Sequence, residues 1–275
     1  MEEPSGVGRT AVGMARLRAA EGLRTDKLFD DPYAAAFVAA APLAVPAGDR
    51  ASEGALGAAF AFAGVIRTRF YDDYLTASVL AGRRQVVLLA AGLDARAFRL
   101  LWPAGVVLYE LDLPDVLRFK DKVLDANDAT PRCRRVTVPV DLRRNWAAAL
   151  QASGFDPGLP TAWLVEGLLI YLTGEEAVDL LATINDLSSA GSQLAAERRA
   201  TRPADLRQQV HALPAMREFA AMWKGGLRED LGECLERNGW TTTIHDRADV
   251  AATLGRSAPA SDGSGFVIAT RSERT

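Results

Sequence analysis

The sequence predicts an α/β fold built around a mostly parallel sheet, on three observations. The first is the stretch Gln85-Val-Val-Leu-Leu-Ala-Ala-Gly-Leu-Asp-Ala-Arg-Ala-Phe-Arg99. Large apolar residues run from Val86 to Leu89 without a polar break, then come two alanines, Gly92 and, after Leu93, Asp94. Such a run, bounded by a glycine turn, suits a strand buried on both faces. The second is Val106-Val-Leu-Tyr-Glu-Leu-Asp-Leu-Pro114, another apolar strand that ends in the carboxylates Glu110 and Asp112, about twenty residues past the glycine turn. The third is that strand-like and helix-like runs alternate as far as residue 197 and then stop alternating.

Taken in order, residues 1–23 begin glycine-rich and become an Ala/Arg/Leu helical pattern around Ala11 to Ala20. Asp30-Asp31-Pro32 opens a second helix, Tyr33 to Ala41, with proline at a tolerated early position and acids near the positive end of the dipole. Residues 42–54 have loop composition, and an apolar helix is expected from Ala55 to Val65. These helices precede the first strand and are free to cover its C-terminal edge, as packing helices or as a partial lid. The charge-dense, aromatic segment Arg67-Thr-Arg-Phe-Tyr-Asp-Asp-Tyr-Leu75 follows. Its arginines can pair with carboxylates in fork geometry, or form the ordinary Arg/Asp pairs of a solvated helix.

Beyond the two opening strands, Asp115 to Ala126 reads as a crossover helix and Arg134 to Pro139 as the third strand. Asp141-Leu142 lies at the exit of that strand, where Asp141 can cap the helix expected from Arg143 to Leu150. Thr161 to Leu172 is the fourth strand with its exit, and the acid Glu166 interrupts its apolar run. Burying a carboxylate there costs several kcal/mol unless it is paired, so Glu166 needs a cationic or donor partner. A helix from Gly174 to about Leu187 and a fifth strand from Ser192 to Glu197 complete the alternation. Residues 198–227 read as an insertion above the C-terminal face of the sheet, with Met216, Met222 and Trp223 as candidates to line an apolar pocket or the underside of a lid helix. Asp230 to Asn238 is a helix stopped by Gly239, and Trp240 to His245 and Gly265 to Thr270 are the last strands, separated by a loop at 255–264.

The spacing from the Gly92 turn to Glu110 and Asp112 is that of a βαβ nucleotide site, in which a carboxylate accepts from ribose hydroxyls. Small residues at the turn, Ala90 and Gly92, let backbone approach a ligand closely, with Asp94 beside them. The turn is not G-x-G-x-x-G, which weakens the case for a nicotinamide-dependent oxidoreductase. Charge and composition narrow the class further. The chain has 275 residues, 49% of them apolar, and a net charge of −3, which disfavours a general nucleic-acid binder. No apolar run approaches the roughly 20 residues of a membrane span, and the N-terminal segment lacks the apolar region of a secretory signal. Two cysteines, Cys133 and Cys234, and two histidines are too scattered for a metal site, and both thiols read as packing residues. The expectation is a cytoplasmic protein without a metal, acting on a small molecule. Its oligomeric state is open.

Several of these stretches resemble one family. LLAAGLDARAFRL followed by YELDLP, together with RTRFYDDYL at 67–75, VPVDLRRNWAAAL at 138–150 and TAWLVEGLLIYLTGEEA at 161–177, is similar to the leucine carboxyl methyltransferase-like family of S-adenosylmethionine-dependent enzymes. FDDPYAAAFV at 29–38 resembles its bacterial, small-molecule branch. The resemblance implies a Rossmann-like class I methyltransferase fold: a mostly parallel seven-stranded sheet, ended by an antiparallel hairpin, with a helical lid. It divides the chain into a lid at 1–66 and a core at 67–275, with a cap insertion at about 198–227. It also implies S-adenosyl-L-methionine as cofactor. Arg69, or else Arg67, would clamp the methionine carboxylate. Asp141 would accept from the adenine amino group beside Leu142, and Glu166 would meet the cofactor ammonium unless an arginine of the chain takes it. O-methylation of a carboxyl or phenolic hydroxyl on a small metabolite is the implied reaction. His211 in the cap is the candidate base, and Tyr71 and Tyr171, flanking cofactor motifs, are candidates to face the methyl group. A non-catalytic protein that keeps the cofactor fold is the remaining alternative.

Overall fold

Alternation along one strand sets up the two layers of the molecule. In β1 (Gln85–Leu89) every residue is buried. Successive side chains of a strand point to opposite faces. Val86 and Leu88 accordingly join one apolar cluster, with Tyr71, Leu75 and Phe119. Val87 and Leu89 join another, with Trp146, Trp163 and Leu180. A strand covered on both sides is the reason its sequence has no polar break.

The computed structural model describes residues 8–41, 55–199, 220–258, 261 and 263–273, with residues 55 and 56 described by backbone only. Around β1 are β2 (Val107–Asp112), β3 (Arg134–Pro139), β4 (Thr161–Val165), β5 (Gln193–Arg198), β6 (Trp240–Asp246) and β7 (Gly265–Arg271). They form a seven-stranded sheet of order β3-β2-β1-β4-β5-β7-β6. The first five run parallel, and β7 is antiparallel to both β5 and β6. Chain order reverses between β1 and β4. That switch point opens a crevice at the carboxyl ends of the two strands.

Helices α1 (Gly8–Gly22) and α2 (Ala34–Ala40) precede α3 (Ala55–Leu80). The apolar helix and the charge-dense segment expected separately are one 26-residue helix, so the lid boundary at residue 66 falls inside α3. Tyr74 anchors α3 to the sheet by donating to the Trp163 carbonyl at 3.1 Å. The short α4 (Arg96–Arg99) follows the glycine turn, and α5 (Pro114–Asp125) opens with proline in its first turn and Asp115 beside it. After β3, α6 (Trp146–Ala152) is capped by Asn145, not Asp141. The fourth strand ends at Val165, and its exit contains a 3-10 turn, Leu169–Tyr171. Thr173 and Glu176 then make a reciprocal capping box at the start of α7 (Gly174–Asp186).

Most of the expected cap insertion, 200–219, lies outside the described residues. Its end docks on the 3-10 turn: Lys224 and Gly225 donate backbone N–H bonds to the Ile170 carbonyl, and Gly226 donates to Leu172. Gly226 has φ +72°, and a Cβ there would lie 2.7 Å from the Leu169 carbonyl oxygen, so a side chain is excluded. Helix α8 (Leu231–Arg237) is capped by Asp230. A further helix not expected from the sequence, α9 (Arg247–Thr253), is capped by Asp246. Among the described residues no helix is long and apolar enough to cross a membrane.

Candidate cofactor site

Past Leu89 the chain turns through two left-handed residues, Ala90 (φ 54°) and Gly92 (φ 49°). The alanine holds this conformation at a cost of order 1 kcal/mol. What holds the turn is Asp112, at the carboxyl end of β2. One of its oxygens accepts from the Gly92 N–H at 2.6 Å and the other from the Leu113 N–H at 2.7 Å. Helix α1 lies across the turn, and a Cβ on Gly92 would come within 3.2 Å of the Ala11 Cβ. The resulting cleft is roofed by Ala11, Met14 and Arg18 of α1, floored by residues 88–96, and walled by Arg67, Thr68, Arg99, Leu164 and Glu166.

A chain of buried and half-buried ion pairs runs through this cleft. Arg67 on α3 donates to Glu166 at 2.9 Å and to Glu197, near the end of β5, at 2.6 Å. Arg96, only 2% exposed, donates to the other Glu166 oxygen at 2.8 Å, to Asp72 at 2.7 Å, and to Asp94. Arg99 takes both Asp72 oxygens at 2.6 Å. Arg18 ties the roof to the floor through the Leu93 carbonyl and to the segment before α2 through Asp31, each at 2.7 Å. Burial works against charge at Asp94, but the guanidinium of Arg96, then Lys120 and Arg99, hold its carboxyl down at about 2. Burial opposes the Arg67 charge in the same way, and Glu197 and Glu166 outweigh it and raise the pKa.

Of the residues expected at a site, Ala90, Gly92, Asp94 and Glu166 line this cleft, and Asp112 braces its floor. Glu110 does not. It is fully buried, with Arg135 donating at 2.7 and 2.9 Å and Lys120 lying 2.8 Å away. Glu110 and Asp112 share a face of β2, but two residues separate them by about 7 Å along the strand. Asp112 reaches the open edge, while Glu110 stays under α5. Arg69 is a second correction. Two residues apart on a helix means roughly 200° of rotation, so Arg69 points away from Arg67 and binds Asp73 at 2.9 Å and the Leu28 carbonyl at 2.8 Å. The arginine in the cleft is Arg67.

Asp141 accepts from Arg143, backbone at 3.0 Å and guanidinium at 2.6 Å, and the guanidinium bond brings its pKa down to about 2. Leu142 packs against the layer beneath α6 and α7. Neither lines the cleft. Tyr71 is fully buried, with its ring against Phe70 and Phe266 and its hydroxyl without a hydrogen-bond partner among the described residues. Burial first, then the charges of Glu197 and Glu166, push its pKa far up, so it stays a phenol and cannot serve as a base. Tyr171 is half-buried beside Ile170 and Trp223. His211 lies outside the described residues. The sequence reading missed Arg96, Asp72, Glu197 and Arg18. Glu197 had a signal: like Glu166, it is an acid at the end of an apolar strand.

A family model described as leucine carboxyl methyltransferase matches residues 11–185. A Frankia alni protein that carries the name of an S-adenosyl-L-methionine-dependent methyltransferase is 50% identical over 278 residues, covering 98% of this chain and 96% of its own. A Saccharopolyspora erythraea protein of the same name is 45% identical over 94% of this chain and 91% of its own. A solved Thermobifida fusca structure titled as a methyltransferase superposes with a TM-score of 0.50 at 16% identity, over 94% of each chain, which supports the fold. The chain belongs to the leucine carboxyl methyltransferase family of S-adenosyl-L-methionine-dependent methyltransferases.

Proposed function

We propose that the protein transfers a methyl group from S-adenosyl-L-methionine to an oxygen, a carboxyl or a phenolic hydroxyl, of a small metabolite. The observation that carries this reading is the Arg67–Glu166 pair, 2.9 Å apart beside the glycine turn. The methionine end of the cofactor bears a carboxylate and an ammonium, and the pair offers one group of each opposite sign. Asp112, at the open edge of β2, is the acid for ribose hydroxyls. The bare Cα of Gly92 lets α1 lie close across the turn. The donor set therefore fits the cofactor, and when bound it supplies an electrophilic methyl group on a sulfonium. A role for Asp141 toward the adenine amino group requires its carboxylate to share itself with Arg143.

For the acceptor, the family's name points to a carboxyl group. A carboxylate is already ionised at neutral pH, so alignment with the methyl group can supply most of the catalysis without a base. Tyr71, held as a neutral phenol, can donate a hydrogen bond but cannot remove a proton. In the test, the enzyme is incubated with S-adenosylmethionine and matched sets of small acids, phenols, amines and thiols, and products gaining one methyl are sought by mass spectrometry. Methylation at oxygen is expected. Transfer confined to nitrogen or sulfur, or tight calorimetric binding of NADH in place of S-adenosylmethionine, would overturn the reading.

A further inference from the structure

Charge does not balance in the cleft. Its lining includes four arginines, Arg18, Arg67, Arg96 and Arg99, but only two carboxylates, Asp94 and Glu166. Three further acids pair with those arginines. Asp31 lies 2.7 Å from Arg18, Glu197 lies 2.6 Å from Arg67, and Asp72 lies 2.7 Å from Arg96 and 2.6 Å from Arg99. Among the described residues this network therefore holds four positive and five negative groups, one negative in excess. The groups just outside it do not remove the excess. Lys120 and Arg135 balance Glu110 and Asp121. The charge of Arg199, exposed two residues past Glu197, is offset by that of Asp112 under the glycine turn.

All five acids accept hydrogen bonds from guanidinium groups. At Glu197 and Asp94 burial opposes the charge, but Arg67 and Arg96 respectively outweigh it and lower both pKa values, that of Asp94 to about 2. A proton does not neutralise these two acids at pH 7. The surplus also lies on the open side of the network. Glu166 and Glu197 are its most exposed side chains, at 20% and 21%, while Arg96 and Arg99 are buried at 2% and 5%. A charge held in a partly buried site is costly without a partner, so this cleft calls for a ligand with one net positive charge.

S-adenosylmethionine has that charge. Its carboxylate and ammonium cancel at neutral pH, and the sulfonium remains. S-adenosylhomocysteine has the same zwitterion and a neutral sulfur. We propose that the excess negative charge of the arginine–acid network makes the cleft select the sulfonium donor over S-adenosylhomocysteine, so that methyl transfer itself loosens the product. This rests on the reading of the cleft as the cofactor site and is independent of which acceptor is methylated. On transfer, a lone pair of the acceptor forms the bond to the methyl carbon, and the methyl–sulfur bond breaks with its pair kept on sulfur. The ligand left among Glu166, Glu197 and Asp94 is then neutral overall, and the attraction of opposite charges is lost.

The test is isothermal titration of the full chain at pH 7 with three ligands: S-adenosylmethionine, S-adenosylhomocysteine and sinefungin, an analogue in which an amine-bearing carbon replaces the sulfonium. The two cationic ligands should bind about tenfold more tightly than S-adenosylhomocysteine. Glu197→Gln, which keeps an oxygen for the Gly167 N–H, and Asp94→Asn should each shrink that ratio to about threefold or less. Asp73→Asn removes an exposed carboxylate paired with Arg69 outside the cleft, and should leave the ratio unchanged; circular dichroism checks each fold. Binding of S-adenosylhomocysteine as tight as that of the donor, or a ratio unmoved in both cleft variants, would overturn the proposal. So would an equal effect of Asp73→Asn, which would trace the preference to overall charge. If none of the three ligands binds the wild type, the cofactor reading of the cleft fails and the proposal falls with it.

Discussion

Arg67 and Glu166 are 99 residues apart in the chain and 2.9 Å apart in the fold. One rides on α3 before the first strand, and the other leaves the end of the fourth. Their contact closes one side of the cleft at the glycine turn. Each also has a second partner, Glu197 for Arg67 and Arg96 for Glu166, so the site is pre-ordered by charge before a ligand arrives. Neither carboxylate is left buried and unpaired.

Arg67→Lys should raise the S-adenosylmethionine dissociation constant about tenfold or more, because lysine cannot reproduce a planar two-pronged contact. Arg69→Lys should leave it within about twofold, since Arg69 is occupied by Asp73 and the Leu28 carbonyl. Isothermal titration of both variants, with circular dichroism to check the fold, decides the matter. The reverse ranking would put the carboxylate clamp on Arg69.

Arg96→Met should destabilise the protein by about 3–5 kcal/mol, the usual cost of removing one member of a buried ionic cluster. Asp72, Asp94 and Glu166 would each lose a charged partner. Urea denaturation measures this. A loss below about 1 kcal/mol would mean that the cluster behaves like surface pairs.

Asp112 and Glu110 should separate binding from stability. Asp112→Ala removes the acceptor for the Gly92 N–H, and cofactor affinity should fall about tenfold, as charged hydrogen bonds are worth roughly 1.5–3 kcal/mol. Glu110→Gln should lower the melting temperature by leaving Lys120 and Arg135 underpaired, while any protein that remains folded binds cofactor normally. Equal losses of affinity in the two variants would contradict the division of roles between these acids.

Stability should fall in acid through Asp94. Its pKa is depressed from 3.8 to about 2 in the fold. A depressed carboxylate contributes stability above its unfolded value, and that contribution is lost as pH falls through the folded value. The window is therefore from about 4 down to about 2, and the contribution is about 2 kcal/mol at 1.36 kcal/mol per unit. Between about pH 5 and pH 2 the wild type should lose about that much more stability than Asp94→Asn. Parallel pH profiles for the two proteins would disprove the assignment.

The antiparallel end of the sheet came only from the family resemblance; the strands, the crossover helices and the glycine turn were legible from the sequence, and so was Glu166 as a carboxylate in need of a partner. These are local properties. A doubly buried strand needs an unbroken apolar run, a tight turn needs small residues, and an acid inside that run is costly unless paired. Asp112 was legible for the same reason, because it ends its strand.

Tertiary structure alone decided which charges meet. Arg67 and Arg69 are chemically alike and two residues apart; only the seating of α3 on the sheet turns Arg67 toward Glu166 and Arg69 toward Asp73. Glu110 and Asp112 both end the apolar part of β2, yet α5 and β3 bring Lys120 and Arg135 to the first and leave the second at the edge. The single burial of Arg96 among Asp72, Asp94 and Glu166 draws on α3, the glycine turn and the exit of β4. Sequence periodicity records which face of an element is covered. Which partner covers it depends on helix rotation and on depth along a strand, and packing sets both.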